Sequence, residues 1–72
     1  MSIDMIPVES GHIEAIGYDP YSEEMRIRFV GNHLYVYRGV PQEIWDQFRV
    51  AQSKGQFFAA HIKKQYVGLR LS

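Results

Sequence analysis

Few side chains in this 72-residue sequence are of a type and spacing that could do chemistry. Ser53 lies in Ala51-Gln52-Ser53-Lys54-Gly55, which is half of the G-x-S-x-G pattern of an activated serine nucleophile. That pattern works only on a strained strand-to-helix turn in a large α/β sheet, whereas here a helix-like segment precedes the serine. Ser53 with Gln56 three residues on fits a helix capping box instead. His12, His33 and His61 are widely separated, and none opens an H-x-H or H-x-x-x-H pair, so their spacing does not point to a metal site. The chain has no cysteine, which excludes thiolate ligands and disulfides. Glu23-Glu24 follow a turn signal and read as solvated acids. Gly11, Gly17 and Gly31 are isolated and no GKS or GKT occurs, so no phosphate-cradling loop is present. The reading is a non-enzyme with no cofactor and no metal.

One constellation is more informative. Arg26 and Arg28 stand on an alternating segment, and Tyr35, Tyr37 and Arg38 on the next. How they meet depends on the turn at Gly31-Asn32. A two-residue loop pairs Phe29 with Leu34 and Ile27 with Val36, which sets Tyr35 and Tyr37 beside the arginines as an exposed platform for stacking bases. A three-residue loop with a bulge shifts everything by one residue. Tyr35 and Tyr37 then join Ile27 and Phe29 in the core, and Leu34 and Val36 move outward. Asn32 can take the left-handed geometry such a bulge demands. The chain's need to bury aromatics favours this second register.

That need follows from size. The chain is a single domain of 8.4 kDa, too short to split into separate cores. Ordering it costs on the order of 100 kcal/mol in conformational entropy. Five Tyr, four Phe and Trp45 are therefore needed largely in the core.

The elements that position these groups can be read along the chain. Pro7 to Ser10 is an extended lead-in, and Pro7 keeps Ile6 out of helical geometry. His12 to Tyr18 is rich in β-compatible residues and ends at the turn signal Asp19-Pro20-Tyr21-Ser22. Met25-Arg26-Ile27-Arg28-Phe29 alternates, and His33 to Arg38 is a second aromatic and β-branched run, so the two form a β-hairpin. Pro41 opens a helix with Glu43 and Asp46 in its early turns, and Ile44, Trp45, Phe48 and Ala51 form its apolar stripe until it stops near Gln52. A second helix follows the Ser53 cap, with Phe58, Ala59, Ile62 and Tyr66 inward and Lys63 and Lys64 at its carboxyl end. Val67, Leu69 and Leu71 alternate with Gly68 and Arg70, an extended tail against the core. The predicted fold is α+β: a three-stranded antiparallel meander packed on one face by a two-helix hairpin, β-β-β-α-α. Ile27, Phe29, Ile44, Phe48, Phe58 and Ile62 are its expected core.

Formal net charge is zero and the pI is about 6.8, which excludes a wholesale polyanion binder. The charges are nonetheless segregated. Residues 1–25 carry six acids and no Lys or Arg, and residues 26–72 carry eight bases against two acids, so the two parts are −6 and +6. One outcome is that acidic strands pair with basic neighbours, Glu14 among them, and the charges cancel. The other is a bipolar surface with one basic face. Residues 1–10 hold Asp4, Pro7 and Glu9 without a basic residue or apolar core segment, so a targeting peptide is not expected. No apolar run approaches the ~20 residues of a membrane span, and a cytoplasmic location is expected.

Several short motifs occur in a fixed order: Ile16-Gly17-Tyr18-Asp19, the alternating strand, Tyr35-Val36-Tyr37, Gly39-Val40-Pro41, and Ala51-x-Ser53-x-Gly55 followed by Phe58, Ile62 and Tyr66. Together they resemble the KTSC domain, over about residues 8–66 of a single domain spanning 1–72. That family is named for a segment at the carboxyl end of some lysyl-tRNA synthetases and also occurs as small free-standing bacterial proteins. The hairpin turn departs from the family pattern, with Gly-Asn in place of Asn-Gly or Asp-Gly. The resemblance implies no catalytic residues, and its synthetase association implies RNA as a ligand.

Two functions are therefore expected to compete. The first is a small RNA-binding module for tRNA or single-stranded RNA, using a basic patch of Arg26, Arg28, Arg38, Arg49, Lys54, Lys63 and Lys64 with Tyr35 and Tyr37. The second is a protein-interaction or self-assembly module that meets a partner or a second copy through Leu34 and Val36 on the open sheet face, or through an edge strand. Tyr with Arg on the open face would favour the first, and Leu and Val with sparse charge the second. No membrane partner is expected.

Overall fold

The structure is a computed structural model and describes residues 3–72. Its centre is an antiparallel sheet of five strands in chain order: β1 (Ile6–Pro7), β2 (Ile13–Asp19), β3 (Glu24–Phe29), β4 (His33–Tyr37) and β5 (Gly68–Arg70). The helical segments, α1 (Gln42–Val50) and α2 (Lys54–Phe57), lie between β4 and β5, and α2 runs on into a π-helical turn at Phe58–Ile62. The α+β class and the central meander β2-β3-β4 agree with the sequence reading. The strand count does not, since β1 and β5 extend the three-stranded meander at both edges. Pro7 is tolerated in β1 because an edge strand needs no donor on its outer side. Among the described residues, no helix is long and apolar enough to cross a membrane.

The hairpin takes the register that buries tyrosine. Phe29 pairs with His33, Ile27 with Tyr35 and Met25 with Tyr37, around a three-residue loop. Gly31 has φ 96° and Asn32 φ 65°, and the Asn32 amide donates to the Phe29 carbonyl at 3.1 Å. Gly-Asn therefore serves this turn, because both residues of the pair must be left-handed. In β2, Ile13 pairs with Phe29 but Ala15 with Arg28, so Glu14 is an extra residue. This bulge lets Ile13 and Ile16, three apart, face the same side, and both are 1% exposed.

The helices cover that side of the sheet. Phe48, Ile62, Ile27, Met25 and Val40 are fully buried there with Tyr37. Of the expected core, Ile27, Phe48 and Ile62 are buried, whereas Phe29, Ile44 and Phe58 are half-buried at its margin. The second helix departs from a plain α-helix. Its Lys63 amide donates to the Phe58 carbonyl five residues back, at 2.9 Å. The inward stripe is Phe57, Phe58 and Ile62, and Ala59 is exposed, against expectation. Phe57 stacks on Phe48 with centroids 5.5 Å apart. Ser53 caps α2 as expected, its hydroxyl accepting from the Gln56 amide at 3.2 Å.

Candidate functional site

Register decides which residues can meet. Because Tyr35 pairs with Arg70 and Tyr37 with Gly68, the tail strand brings Arg70 to the helix-side face beside the two tyrosines. Two short helices do not cover a sheet five strands wide. The uncovered part of this face is a cleft of about 450 Å³ between β3–β5 and the π-helical turn. Its walls are Phe29, Tyr35, Tyr37 and Phe58, and its rim is His33, Lys63 and Arg70.

The walls form one continuous aromatic assembly. Tyr35 and Tyr37 lie nearly parallel with centroids 6.4 Å apart. Phe29 meets Tyr35 edge-on at 5.5 Å and Phe58 at 5.3 Å, and Phe58 meets Tyr37 at 5.6 Å. Among the described residues the one buried side-chain nitrogen or oxygen left unpaired is Arg28 Nε. The Tyr35 and Tyr37 hydroxyls, which make no hydrogen bond to protein, therefore reach the cleft they line. Tyr37 is held above its ordinary pKa, first by burial and then by Tyr35 beside it, so it is a neutral donor at physiological pH.

The rim is cationic. Arg70 Nη2 is 2.7 Å from His33 Nδ1, a contact in which the guanidinium can only donate. Arg70 Nε donates to the Ser72 carbonyl at 2.9 Å. Aromatic faces with a guanidinium and an ammonium at their edge match a flat, π-rich ligand that carries negative charge.

The structure gathers only some of the sequence candidates. Tyr35, Tyr37 and Lys63 come together in the cleft. Arg26 and Arg28 point to the opposite face, in rows with Gly17 and Val36, and with Ala15 and Leu34. No Arg/Tyr platform exists on one face. Arg26 is also tied to Glu24 at 2.7 Å, the partner on its own strand, while Glu14 sits unpaired at the bulge. Lys54 Nζ donates to the Ala51 carbonyl at the helix junction. Arg49 lies in the last turn of α1, and Arg38 and Lys64 are exposed outside the cleft lining.

The outer face was expected to show both Leu34 and Val36. Val36 is in fact 2% exposed and Leu34 half-buried; Leu69, paired with Val36 from β5, and Leu71, bonded through its amide to the Leu34 carbonyl, lie beside them, each 50% exposed. Sequence reasoning missed Phe29, His33, Phe58 and Arg70 as cleft residues. The alternation of Gly68 and Arg70 against Val67, Leu69 and Leu71 put Arg70 on one face, but only the pairing with β4 shows which.

A small two-layer α+β domain with an aromatic cleft at one sheet edge is the class of protein these features define. The KTSC domain model matches residues 9–66, and the chain belongs to that family. A KTSC domain protein from Yersinia pestis has a crystal structure that superposes with a TM-score of 0.94 at 35% identity, covering 99% of this chain and 100% of that one. A relative from Tsukamurella paurometabola is 40% identical over 67 residues, 93% of this chain and 100% of its own length. A lysine–tRNA ligase from Nostoc sp. is 29% identical over the full 72 residues, which make up 13% of that longer protein.

Proposed function

We propose that this chain is an RNA-binding module that takes an unpaired base into the aromatic cleft, with its phosphate at Arg70 and Lys63. The observation that carries this reading is the cleft itself, with four aromatic walls and a cationic rim. Base–aromatic stacking is worth about 1–3 kcal/mol per base and tolerates any sequence. The matching segment in a lysine–tRNA ligase supports RNA as the ligand class. Binding through this cleft does not use Arg26 and Arg28, which face away from it.

The test is a titration with tRNA and with a short single-stranded RNA at two salt concentrations. Few phosphates are engaged, so affinity is weak, and two or three contacts give a log–log salt slope of about −2 on a single strand. Arg70→Ala flattens that slope by about 0.7, the loss of one phosphate contact. Charge reversal at Lys63 and Lys64 weakens binding further, whereas Arg26→Ala leaves it unchanged. No binding by the wild type at low salt ends the RNA reading. A protein contact through Leu34, Leu69 and Leu71 on the outer face then leads, a reading favoured by the half exposure of both tail leucines.

A further inference from the structure

The acidic part of the chain builds a second cleft, at the other edge of the sheet. Tyr18 on β2 and Trp45 on α1 stack with centroids 5.4 Å apart and planes 12° from parallel. The turn after β2 sets Tyr21 next to them, 91% exposed, and Ile3, Ile6 and Pro20 close the rest of a hollow of about 310 Å³. The charged side chains that line it are Asp4 and Asp19. Among the described residues, no lysine, arginine or histidine does so.

The walls are fixed before any ligand arrives. The Tyr18 hydroxyl donates to the Val40 carbonyl at 2.6 Å, which holds the ring in place. Asp19 Oδ1 accepts the Tyr21 amide at 3.0 Å, which orients the carboxylate and the turn together. Glu23 and Asp46 add to the negative field. With burial first, then Glu23, Asp46 and Asp19, they raise the Tyr18 pKa above its usual value.

Negative field and exposed aromatic faces together select one chemistry. An anion is repelled, and a neutral apolar group would desolvate two carboxylates without compensation. A cation gains from both the ring quadrupoles and the carboxylates. A planar, weakly hydrated guanidinium stacks on an aromatic ring better than a compact, strongly hydrated ammonium does. We propose that the Tyr18–Trp45 cleft is a binding site for the guanidinium group of an arginine side chain on a partner protein. This site shares no residue with the RNA cleft and stands whether or not RNA binds there.

Trp45 is the chain's one tryptophan, so its fluorescence reports on this cleft alone. The wild-type chain is titrated with a capped Gly-Arg-Gly peptide, its lysine counterpart and its neutral citrulline counterpart, at constant ionic strength. A saturable change with the arginine peptide is expected, with a dissociation constant on the order of millimolar for so small a probe. The lysine peptide binds more weakly and the citrulline peptide not at all. The double variant Asp4→Asn/Asp19→Asn, which keeps the hydrogen-bonding shapes, weakens the arginine peptide by about fivefold. Arg70→Ala leaves it unchanged. The inference is overturned if the arginine and citrulline peptides behave alike, if lysine binds as well as arginine, or if the double variant binds as wild type does.

Discussion

Gly68→Ala tests the link between the tail strand and the cleft. The Tyr37 ring lies directly over Gly68, so an added Cβ would stand 2.8 Å from its Cζ and 3.0 Å from its hydroxyl oxygen. Tyr37 is 5% exposed and wedged between Tyr35 and Phe58, so the ring cannot yield without dismantling the cleft wall. Keeping everything in place costs about 1–3 kcal/mol of overpacking. Releasing β5 costs its ladder hydrogen bonds, at about 1 kcal/mol net each. That loss is offset by roughly 1–2 kcal/mol of backbone entropy per freed residue, and the apolar burial lost is mainly that of Leu69 beside Val36, since Gly68 and Arg70 are exposed. Strand release is therefore the cheaper relief. The expected outcome is a folded domain whose melting temperature falls by about 4–8 °C, the effect of about 1 kcal/mol in a chain this small. Leu71 loses the exchange protection of its 2.7 Å bond to the Leu34 carbonyl, and Arg70 separates from His33. Amide exchange by NMR reads the first, and the His33 ring resonances read the second. Gly11→Ala is the control, since nothing lies within 4 Å of its Cβ. It should be neutral or stabilise by about 0.4–1 kcal/mol. Wild-type protection at Leu71 with an unmoved Tyr37 ring in Gly68→Ala would refute the packing argument.

Two further outcomes follow from the core and from Tyr18. Phe48 is fully buried, and Phe48→Ala should cost about 3–5 kcal/mol. A chain of 72 residues has roughly 4–11 kcal/mol in all. Urea unfolding should show a midpoint far below that of wild type, and a midpoint near wild type would disprove the core assignment. Tyr18 and Tyr37 have raised pKa values, so above about pH 10 the unfolded chain loses these protons before the native one does. Their contribution is complete below pH 10 and is lost as pH rises through the folded values. Tyr18→Phe should lower stability at neutral pH, by losing the Val40 bond, and flatten the alkaline decline.

Much of the fold was legible because its signals are local. The alternation of Met25, Ile27 and Phe29, the Ser53 cap and the Gly31-Asn32 turn are each decided within a few residues, and the structure has all three. The register was legible through an energetic argument rather than a pattern. The exposed platform has the cleaner polar/apolar alternation, but the need to bury rings outweighs it. What escaped was non-local or irregular. β1 is two residues long and carries a proline, so it has no periodicity to read, and the alternation of the tail shows that β5 is extended but not that it pairs with β4. The bulge at Glu14 and the π-helical turn at Phe58–Ile62 each insert one residue, which rotates every position after them.

The site escaped for the same reason that the charge pattern misled. A −6/+6 division along the chain invited one basic face, yet a sheet edge gathers residues by pairing and not by sequence distance. Arg26 and Arg28, the most conspicuous bases, fall on the outer face because their neighbours Met25, Ile27 and Phe29 must face the helices. Arg70 reaches the aromatic cleft because Gly68, two residues before it, is the position small enough to lie under Tyr37. The acids separate in the same way, since Asp4 and Asp19 meet only where the chain's start lies along the end of β2. The sequence's charge asymmetry is thus resolved into two aromatic clefts of opposite sign at opposite edges of the sheet.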